Sequence, residues 1–417
     1  MNPLSDKEFH PLHSLWRKLP AEPRRRGAAG LTAWLAPKAH HPAPSAGGQM
    51  LVGGEISRAS GLGEGARIML RACRALGIPA SGFQASLFEG TSSPPEEDGL
   101  TRSPLVLHVN APSLPAVLLK LGRGFLRHRR IIGYWAWELP VLPPLWKMAV
   151  DCVHEVWTPS LFSARALETI MPGRVRVVPH ALAAGPLRPS HLGRGAFGLP
   201  EDAVVVLVSF SLASSFERKN PLAAIQAFRM AFGERRDRFL LLKVSHAGRY
   251  REDMERLRAA IAGAGNIRIE ERLFPEEDSQ ALIQCADIVL SLHRSEGFGL
   301  VPAEAMLLGR TVVATDWSAT SEFLNDECGV PVSCRLVPAR DPRGVFEAEG
   351  AVWAEADIGS AVANLSRAAD DVVLRQRLGA RAARVARERF SGSELLAAHW
   401  AMTRSEASRE DMRRVPA

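Results

Sequence analysis

Short apolar runs alternate with segments of helical periodicity along most of the chain. In the first half, apolar runs predict strands at residues 50–56, 105–109, 131–135, 153–158 and 175–178. In the second half they predict strands at residues 203–210, 239–244, 267–270, 288–292 and 311–315, and the segments between them include amphipathic helices at 221–232 and 252–262. Repeated alternation of strand and helix indicates the α/β class, with two parallel, doubly wound sheets. Ligands of such sheets lie beyond the carboxyl ends of the strands.

The length of the chain and its changes in composition predict two domains. A chain of 417 residues is too long for one ordinary core and suits two Rossmann-like domains of about 150 to 200 residues each. The predicted segments are a basic, Pro/Ala-rich lead (1–48), a first domain (49–182), a Gly/Pro/Arg-rich connector (183–200), a second domain (201–390) and a C-terminal segment (391–417) with a helix at 391–404.

Composition narrows the classes of protein that fit this chain. Apolar residues make up 46% and charged residues 23% of it, as in globular proteins. No apolar run reaches the roughly 18 residues of a membrane span, and the N-terminus has no apolar signal segment. We therefore expect a cytoplasmic protein, either soluble or peripheral on the inner face of the membrane. Five cysteines without a Cys-x-x-Cys pair favour reduced thiols over a zinc cluster or a disulfide framework.

An excess of positive charge indicates affinity for polyanions. The formal net charge is +7 and the pI is about 9.5, but no helix-turn-helix, zinc-finger or RNP-like pattern occurs, so nucleic acid is not an expected partner. Basic and apolar residues are interleaved at residues 12–26, which include Leu15, Trp16 and Leu19, and again at residues 120–130. The cations of the second segment are Lys120, Arg123, Arg127, Arg129 and Arg130. Such segments suit an anionic membrane surface, and a solvated face explains them equally well.

The strongest functional motif spans residues 294–309. An apolar strand leads into a loop with Glu296, Gly297 and Gly299, after which Pro302 is predicted to open a helix that a glycine at position 309 closes. The glycines let backbone N–H groups approach a ligand, and the start of a helix offers unpaired donors and a positive dipole end. The motif therefore predicts an anion site. Glu304, at about the third helical position, can support the dipole or reach a ligand hydroxyl.

A second pair of charged residues precedes another predicted helix. Arg218 and Lys219 stand just ahead of Asn220, a predicted N-cap, and Pro221, a predicted first helical residue. A cation at the positive end of a helix dipole is mildly unfavourable, so this position favours a compensating anion. The alternative is that both are solvated loop cations.

Glu296 and Glu304, with a Gly-Phe-Gly segment between them, resemble the Glu-seven-residues-Glu signature of retaining glycosyltransferases of group 1, or family four. These enzymes have the two-domain GT-B fold, and the resemblance extends from about residue 50 to residue 405, with strong motifs only in the second half. It implies an N-terminal acceptor domain, a C-terminal nucleotide-sugar domain, a cleft between them and a C-terminal helix that crosses back onto the first domain.

The resemblance also implies roles for individual residues of the motifs. Glu296 would lie beside the donor sugar and Glu304 would bind the ribose hydroxyls. Lys219 is the first candidate to neutralise the donor diphosphate and Arg218 is the second. The rest of the donor-binding loop would be Gly297, Phe298, Gly299, Leu300 and Val301.

Candidates for the acceptor side come from the first half. The Gly-rich stretch at residues 60–65 fails as a dinucleotide fingerprint because its spacing is wrong, but it resembles the first loop of bacterial group 1 enzymes, which implies that Gly61 and Gly63 face the cleft. The Trp-Ala-Trp-Glu-Leu stretch resembles a branch of the family that makes bacterial polysaccharides. It makes Trp137 and Glu138 acceptor candidates, with a buried core tryptophan as an equal alternative; His108 is a further candidate at the end of a strand.

We expect transfer of a hexose, mannose or glucose, from a nucleoside diphosphate sugar to a hydroxyl of a saccharide or lipid-linked saccharide. The resemblance implies retention at the anomeric carbon and a place in surface polysaccharide synthesis. No Asp-x-Asp motif occurs in the sequence, so neither a metal nor another cofactor is expected. The alternatives are a sugar-nucleotide epimerase of the same fold and a non-catalytic subunit that binds nucleotide sugars.

Overall fold

The first half of the chain forms a parallel six-stranded sheet. The computed structural model describes residues 21–58, 60–87 and 102–403. The strands are β1 (Met50–Gly54), β2 (Ala80–Gln84), β3 (Leu105–His108), β4 (Ile131–Tyr134), β5 (Glu155–Thr158) and β6 (Val175–Val177). Their order is β2-β1-β3-β4-β5-β6. The helices are α1 (Ala21–Leu35), α2 (Gly61–Ala75), α3 (Leu114–Leu121), α4 (Arg123–Leu126), a 3₁₀ helix (Pro144–Cys152) and α5 (Leu161–Glu168).

The second half forms another parallel six-stranded sheet. Its strands are β7 (Val204–Ser211), β8 (Arg238–Ser245), β9 (Ile267–Glu270), β10 (Ile288–Ser291), β11 (Thr311–Thr315) and β12 (Val330–Val332), in the order β12-β11-β10-β7-β8-β9. The helices are α6 (Phe216–Lys219), α7 (Pro221–Phe232), α8 (Arg251–Ile261), α9 (Glu276–Cys285), α10 (Leu300–Leu307), α11 (Ile358–Asp370), α12 (Val372–Arg389) and α13 (Ser393–Thr403). Short 3₁₀ helices lie at Arg194–Phe197, Ala247–Arg249 and Ser318–Glu322. An antiparallel hairpin, β13 (Cys334–Pro338) with β14 (Val352–Ala356), follows the sheet.

Both sheets are apolar on both faces, as expected for parallel sheets covered by helices. In β1, Leu51 packs into one buried cluster and its neighbours Met50 and Val52 pack into a cluster on the opposite face. The second cluster also contains Leu395, Ala398 and Met402, so the C-terminal helix α13 packs against the first sheet.

The structure confirms the predicted α/β class with two parallel Rossmann-like sheets. Strands β9 and β11 and helix α7 have the predicted bounds. Strands β2 and β12 and the hairpin β13–β14 were not predicted. In β2 only Phe83 is buried, and in β12 a proline interrupts the apolar run, so neither strand shows a recognisable pattern. Within the described ranges, no helix combines the length and apolar character needed to cross a membrane, and the five cysteines are free thiols.

Candidate active site

The loop between β10 and α10 carries the main motif, and its helix starts earlier than the sequence predicts. Gly299 has a φ of 97° and precedes Leu300, the first residue of α10. Pro302 is therefore the third helical residue and Glu304 the fifth, which corrects both predicted positions. Proline is tolerated in the first helical turn because the backbone N–H groups there lack a helical partner. Gly309 follows the helix with a φ of 70°, as predicted for a helix end.

Glu296 lies at the centre of a buried group of charges. Its Oε1 is 2.5 Å from Nζ of Lys219 and its Oε2 is 3.2 Å from Nη1 of Arg218. Burial on its own raises the pKa of Glu296, but Lys219, Arg218 and His293 lower it more, and the resulting pKa is about 2. Glu296 is therefore ionised throughout the neutral pH range.

Arg218 connects this group to the first half of the chain. Its side chain is 3% exposed, and Nη2 lies 3.6 Å from Oε1 of Glu138, which follows β4. Nη1 also donates a hydrogen bond of 2.7 Å to the carbonyl oxygen of Ser295. Burial lowers the pKa of Arg218, but Glu296 and then Glu138 raise it above its ordinary value. We call Glu138, Arg218, Lys219 and Glu296 the charge cluster.

The local backbone around the two cations differs from the predicted loop. Arg218 and Lys219 belong to the one-turn helix α6, where Ser215 accepts a hydrogen bond from the backbone N–H of Arg218. Asn220 precedes α7 as predicted, but its φ is 51° and its side chain makes no capping bond. Two helices meet at this residue, and asparagine tolerates the left-handed backbone that the junction needs. In this structure Glu296 is the carboxylate that contacts both cations.

Sequence reasoning missed residues that join the second half of the chain to the first. Ser160 donates a hydrogen bond of 2.7 Å to the carbonyl oxygen of Gly297. Glu322 accepts hydrogen bonds from the backbone N–H groups of Leu161 (3.0 Å) and Phe162 (2.7 Å), at the start of α5. A carboxylate at a helix N-terminus is favourable. No sequence signal identifies these contacts, because each one joins residues more than 130 positions apart.

His293, in the loop between β10 and α10, is fully buried and was also missed. Its Nδ1 is 2.9 Å from Oγ of Ser291, and its Nε2 is 2.9 Å from Oγ1 of Thr320. Burial lowers the pKa of His293 to about 4. The imidazole is therefore neutral and supports the backbone that carries Glu296.

Glu304 lies among other carboxylates rather than in the charge cluster. Burial raises its pKa most, Glu64 and Glu276 add to this and Arg71 lowers it, and the resulting pKa is about 8. Arg71 bridges the two neighbouring carboxylates, at 3.1 Å from Glu64 and 2.8 Å from Glu276. Because Glu64 belongs to α2 and Glu276 to α9, this is a second point of contact between the two halves.

Comparisons with known proteins agree with this architecture. Residues 204–353 match the family model of group 1 glycosyl transferases. Residues 204–353 form a group 1 glycosyltransferase domain, and the chain has the GT-B fold. Similar solved structures include sucrose-phosphate synthase from Thermosynechococcus elongatus, at 15% identity and a TM-score of 0.60, covering 86% of this chain and 100% of that one.

Two further structures extend the comparison. HepE of Anabaena in complex with UDP and glucose has 12% identity and a TM-score of 0.59, with coverage of 88% of this chain and 100% of HepE. TarM of S. aureus has 12% identity and a TM-score of 0.53 over 73% of this chain. The chain spans only 56% of the length of TarM. No curated protein matches the sequence at a significant level.

The glycine-rich stretch of this GT-B chain is helical from Gly61 onward and not a loop, which corrects the prediction. Helix α2 begins at Gly61, and Ser60 caps it by accepting a hydrogen bond from the backbone N–H of Gly63. A Cβ atom on Gly63 would lie 2.4 Å from the carbonyl oxygen of Glu55 and 2.8 Å from that of Arg58, whereas Gly61 faces open space. Close backbone packing therefore explains the glycine at position 63 but not the one at 61.

Gly63→Ala is expected to lower the thermal unfolding midpoint by several degrees, because the new Cβ meets two backbone oxygens that cannot move independently. Gly61→Ala is the matched control, and its midpoint should equal or exceed that of the wild type, since alanine is favoured over glycine in helices. Circular dichroism of both variants tests this. Equal midpoints in the two variants would contradict the assigned contact.

Of the residues predicted on the acceptor side, Glu138 belongs to the charge cluster, and Trp137 and His108 are core residues. Trp137 is buried, donates from Nε1 to the carbonyl oxygen of Val141 (2.7 Å) and packs against Trp146, with the ring centroids 5.0 Å apart. It has no free face for a sugar, in agreement with the core alternative. His108 is also buried, with its ring centroid 4.2 Å from that of Tyr134. Burial, and then His180, lowers the pKa of His108 well below its ordinary value.

The other residues predicted to bind the donor lie at or just before the start of α10. Phe298 is buried and its ring contacts His180 at a centroid distance of 4.9 Å, while Leu300 and Val301 are half-buried in the first helical turn. A Cβ atom on Gly297 would lie 3.1 Å from the carbonyl oxygen of Trp137. Among the described residues, no group of three or more His, Cys, Asp or Glu side chains is arranged to hold a metal ion.

The raised pKa of Glu304 predicts a pH dependence of stability. The pKa is about 8 in the folded chain and 4.5 ordinarily, so the folded state binds more protons between these values. Stability therefore falls as the pH rises from about 4.5 to about 8 and levels off above that range. Glu304→Gln should therefore raise the thermal unfolding midpoint more at pH 9 than at pH 6. Glu388→Gln, on the exposed side of α12, is the control and should show no such trend. A Glu304→Gln effect independent of pH would contradict the prediction.

Proposed function

We propose that the chain transfers a hexose, glucose or mannose, from a nucleoside diphosphate sugar to a hydroxyl of a saccharide or lipid-linked saccharide, with retention at the anomeric carbon. The observation that carries the proposal is the charge cluster beside the start of α10. Two cations meet the motif carboxylate at 2.5 and 3.2 Å, next to a helix N-terminus, where a diphosphate finds unpaired N–H donors. HepE, of the same fold, binds UDP and glucose, which supports a nucleotide-sugar donor.

In this mechanism the protein stabilises the charge that develops on the leaving diphosphate. Lys219 and Arg218 supply positive charge in a buried site, where electrostatic interactions are stronger than in water. Glu296, ionised at neutral pH because its pKa is about 2, would hold the donor sugar and keep both cations in place. Glu304 would accept hydrogen bonds from the ribose hydroxyls. We propose that these groups act without a metal ion.

The proposal is tested by incubating the purified protein with UDP-, GDP- and dTDP-sugars and saccharide acceptors, with and without a chelator. We expect nucleotide release that depends on acceptor and is unchanged by the chelator. Release of an altered nucleotide sugar without acceptor would indicate an epimerase. Tight nucleotide binding without any turnover would indicate a non-catalytic subunit.

We further propose that the chain docks on an anionic membrane surface through its first half. Residues 12–20 of the first basic segment lie outside the described residues. Of the cations in the second segment, Lys120, Arg123 and Arg127 are exposed. The Nζ of Lys120 donates hydrogen bonds to the carbonyl oxygens of Ser86 (3.1 Å) and Leu87 (2.7 Å), whereas Arg123 lies close to helix α1 and Arg127 on open surface. Arg129 is buried and donates to the carbonyl oxygen of Phe125, and Arg130 pairs with Glu155 at 3.1 Å. Arg129 and Arg130 are therefore not available to bind lipid, which corrects the prediction.

The neighbouring helix α1 adds apolar surface to these cations. Trp34 is 77% and Leu31 58% exposed, and Arg123 donates a hydrogen bond of 3.4 Å to the carbonyl oxygen of Leu35 in the same helix. An exposed tryptophan beside arginines suits the boundary between lipid headgroups and acyl chains. This arrangement supports peripheral binding.

We expect the protein to sediment with anionic vesicles at low ionic strength and to be released by salt. Arg123→Gln with Arg127→Gln should weaken vesicle binding by about thirtyfold, since each cation contributes about 1 kcal/mol near an anionic surface. Arg384→Gln with Arg387→Gln, exposed on α12, removes the same charge elsewhere and should leave binding close to that of the wild type. Equal weakening by both pairs would indicate a general charge effect and contradict the proposed surface.

A further inference from the structure

The loop between β13 and β14, residues 339–351, passes from the second half of the molecule into the core of the first. We call this loop the strap. Its base is closed by a hydrogen bond of 2.9 Å from the backbone N–H of Ala339 to the carbonyl oxygen of Ala351. Phe346 and Ala351 of the strap, and Trp353 just after it, are buried in the same cluster as Trp137. The strap thus joins the two halves directly beside the charge cluster.

Phe346 lies between the first half and Arg218. Its ring is stacked on that of Trp137, with centroids 5.5 Å apart and an interplanar angle of 27°. The guanidinium carbon of Arg218 is 5.1 Å from the centroid of the same ring. A cation over an aromatic face is attracted electrostatically, more strongly where water is excluded. Phe346 therefore sets where the Arg218 side chain lies relative to the first half.

Asp341 fixes both Phe346 and the backbone of Arg218. Its buried carboxylate accepts hydrogen bonds from the backbone N–H groups of Val345 (3.1 Å) and Phe346 (3.2 Å). It also accepts one from the hydroxyl of Ser215 (3.3 Å), which in turn accepts the backbone N–H of Arg218 at 3.2 Å. One carboxylate thus links the turn of the strap to the cap of α6.

Arg343 of the strap attaches it to the second half. The guanidinium carbon of Arg343 lies 4.1 Å from the ring centroid of Tyr250, and the guanidinium donates to the carbonyl oxygen of Leu212 and pairs with Asp253. With Arg343 on the second half and Phe346 on the first, the strap is held at both sides of the cleft.

We propose that Phe346 and Asp341 are positioning residues for the transfer reaction. They hold the Arg218 guanidinium between Glu138 and Glu296. This cation is therefore oriented toward the donor diphosphate only when the strap connects the two halves. This inference rests on the proposed function for its catalytic consequence. The placement of Arg218 itself is independent of that function.

The catalytic arm compares Phe346→Ala, Phe346→Tyr and Asp341→Ala with Val345→Ala, a matched control in the same loop whose side chain is 47% exposed. Phe346→Ala and Asp341→Ala should lower kcat tenfold to a hundredfold while the nucleotide Kd, measured by calorimetry, changes less than threefold. Phe346→Tyr keeps the ring and should restore kcat to within threefold of the wild type, as should the control. An unchanged kcat in a folded Phe346→Ala variant, or equal losses of kcat and nucleotide binding, would overturn the proposal.

The second arm needs no activity and separates failure of the strap from failure of the proposed function. Phenylglyoxal modifies accessible arginines, and peptide mass spectrometry locates the adducts. Arg218 should be protected in the wild type and in Val345→Ala, and modified in Phe346→Ala and Asp341→Ala. Phe346→Leu replaces the alanine variant if that variant does not fold, and it should also expose Arg218. Protection of Arg218 in every folded variant would overturn the proposal whether or not transfer is detected.

Discussion

Arg218→Ala is expected to destabilise the folded chain by about 3 to 5 kcal/mol and to lower transfer at least a hundredfold. The side chain is 3% exposed and lies within 3.6 Å of carboxylates from both halves. Lys219 still neutralises Glu296 in the variant, so Glu138 is the carboxylate that loses its main cationic partner. Burial already raises the pKa of Glu138 above its ordinary value, and Arg218 is the main influence that lowers it. Calorimetric unfolding and nucleotide release measure the two effects.

A double variant separates the two consequences of this substitution. Glu138→Gln with Arg218→Met removes both charges of the pair and keeps similar side-chain volumes, so most of the lost stability should return. Transfer should stay low, because no guanidinium faces the diphosphate. Recovery of activity together with stability would show that Arg218 acts only through folding. An Arg218→Ala variant with a wild-type unfolding profile would contradict the assigned burial of the pair.

Lys219→Ala is expected to lower kcat by about a hundredfold to a thousandfold, the usual loss when one group that stabilises developing negative charge is removed. Its Nζ lies 2.5 Å from Oε1 of Glu296, so the variant also leaves the motif carboxylate with Arg218 as its nearest cation. Donor KM should change less than tenfold, because the charge on the diphosphate grows mainly in the transition state. Steady-state kinetics with the best donor of the panel measures both constants.

Lys219→Arg is the matched control for charge. It keeps a cation in the same place and should retain more activity than Lys219→Ala, although the wider guanidinium does not reproduce the ammonium geometry. Glu296→Gln should lose turnover while the nucleotide still binds, since its contacts would be with the sugar. Full activity in Lys219→Ala would remove this residue from the mechanism.

The sequence predicted those parts of the fold that local patterns determine. The apolar runs of β9 and β11 and the periodicity of α7 are self-contained signals, and their bounds agree with the structure. The start of α10 was two residues off because a left-handed Gly299 lets the helix begin before its proline. Edge strand β2 was missed because it buries only Phe83. Local sequence patterns are sufficient to predict an element where burial is uniform along it. They are insufficient at sheet edges and at junctions between elements.

The members of the charge cluster were individually visible in the sequence, but their arrangement was not. Glu296, Lys219 and Arg218 follow from motifs near helix starts. Arg218 pairs with Glu138, 80 positions earlier. It also lies on Phe346, in a hairpin that no pattern predicted. Both contacts depend on how the two halves meet. Trp137 and Glu138 are neighbours in sequence, yet one is in the core and the other at the cluster. Tertiary contacts decide such differences.

The position of the strap bears on the construction of chimeric enzymes. The first half could be exchanged between relatives to change acceptor choice. The junction would ordinarily be placed in the connector near residue 190. In this chain such a junction separates Phe346 and Trp353 from the core in which they are buried, and it leaves them against a foreign surface. A hybrid that carries residues 334–356 and 393–403 together with the first half keeps both faces of the first sheet covered, because α13 packs on the face opposite to Phe346 and Trp353. The unit of exchange is therefore discontinuous in sequence.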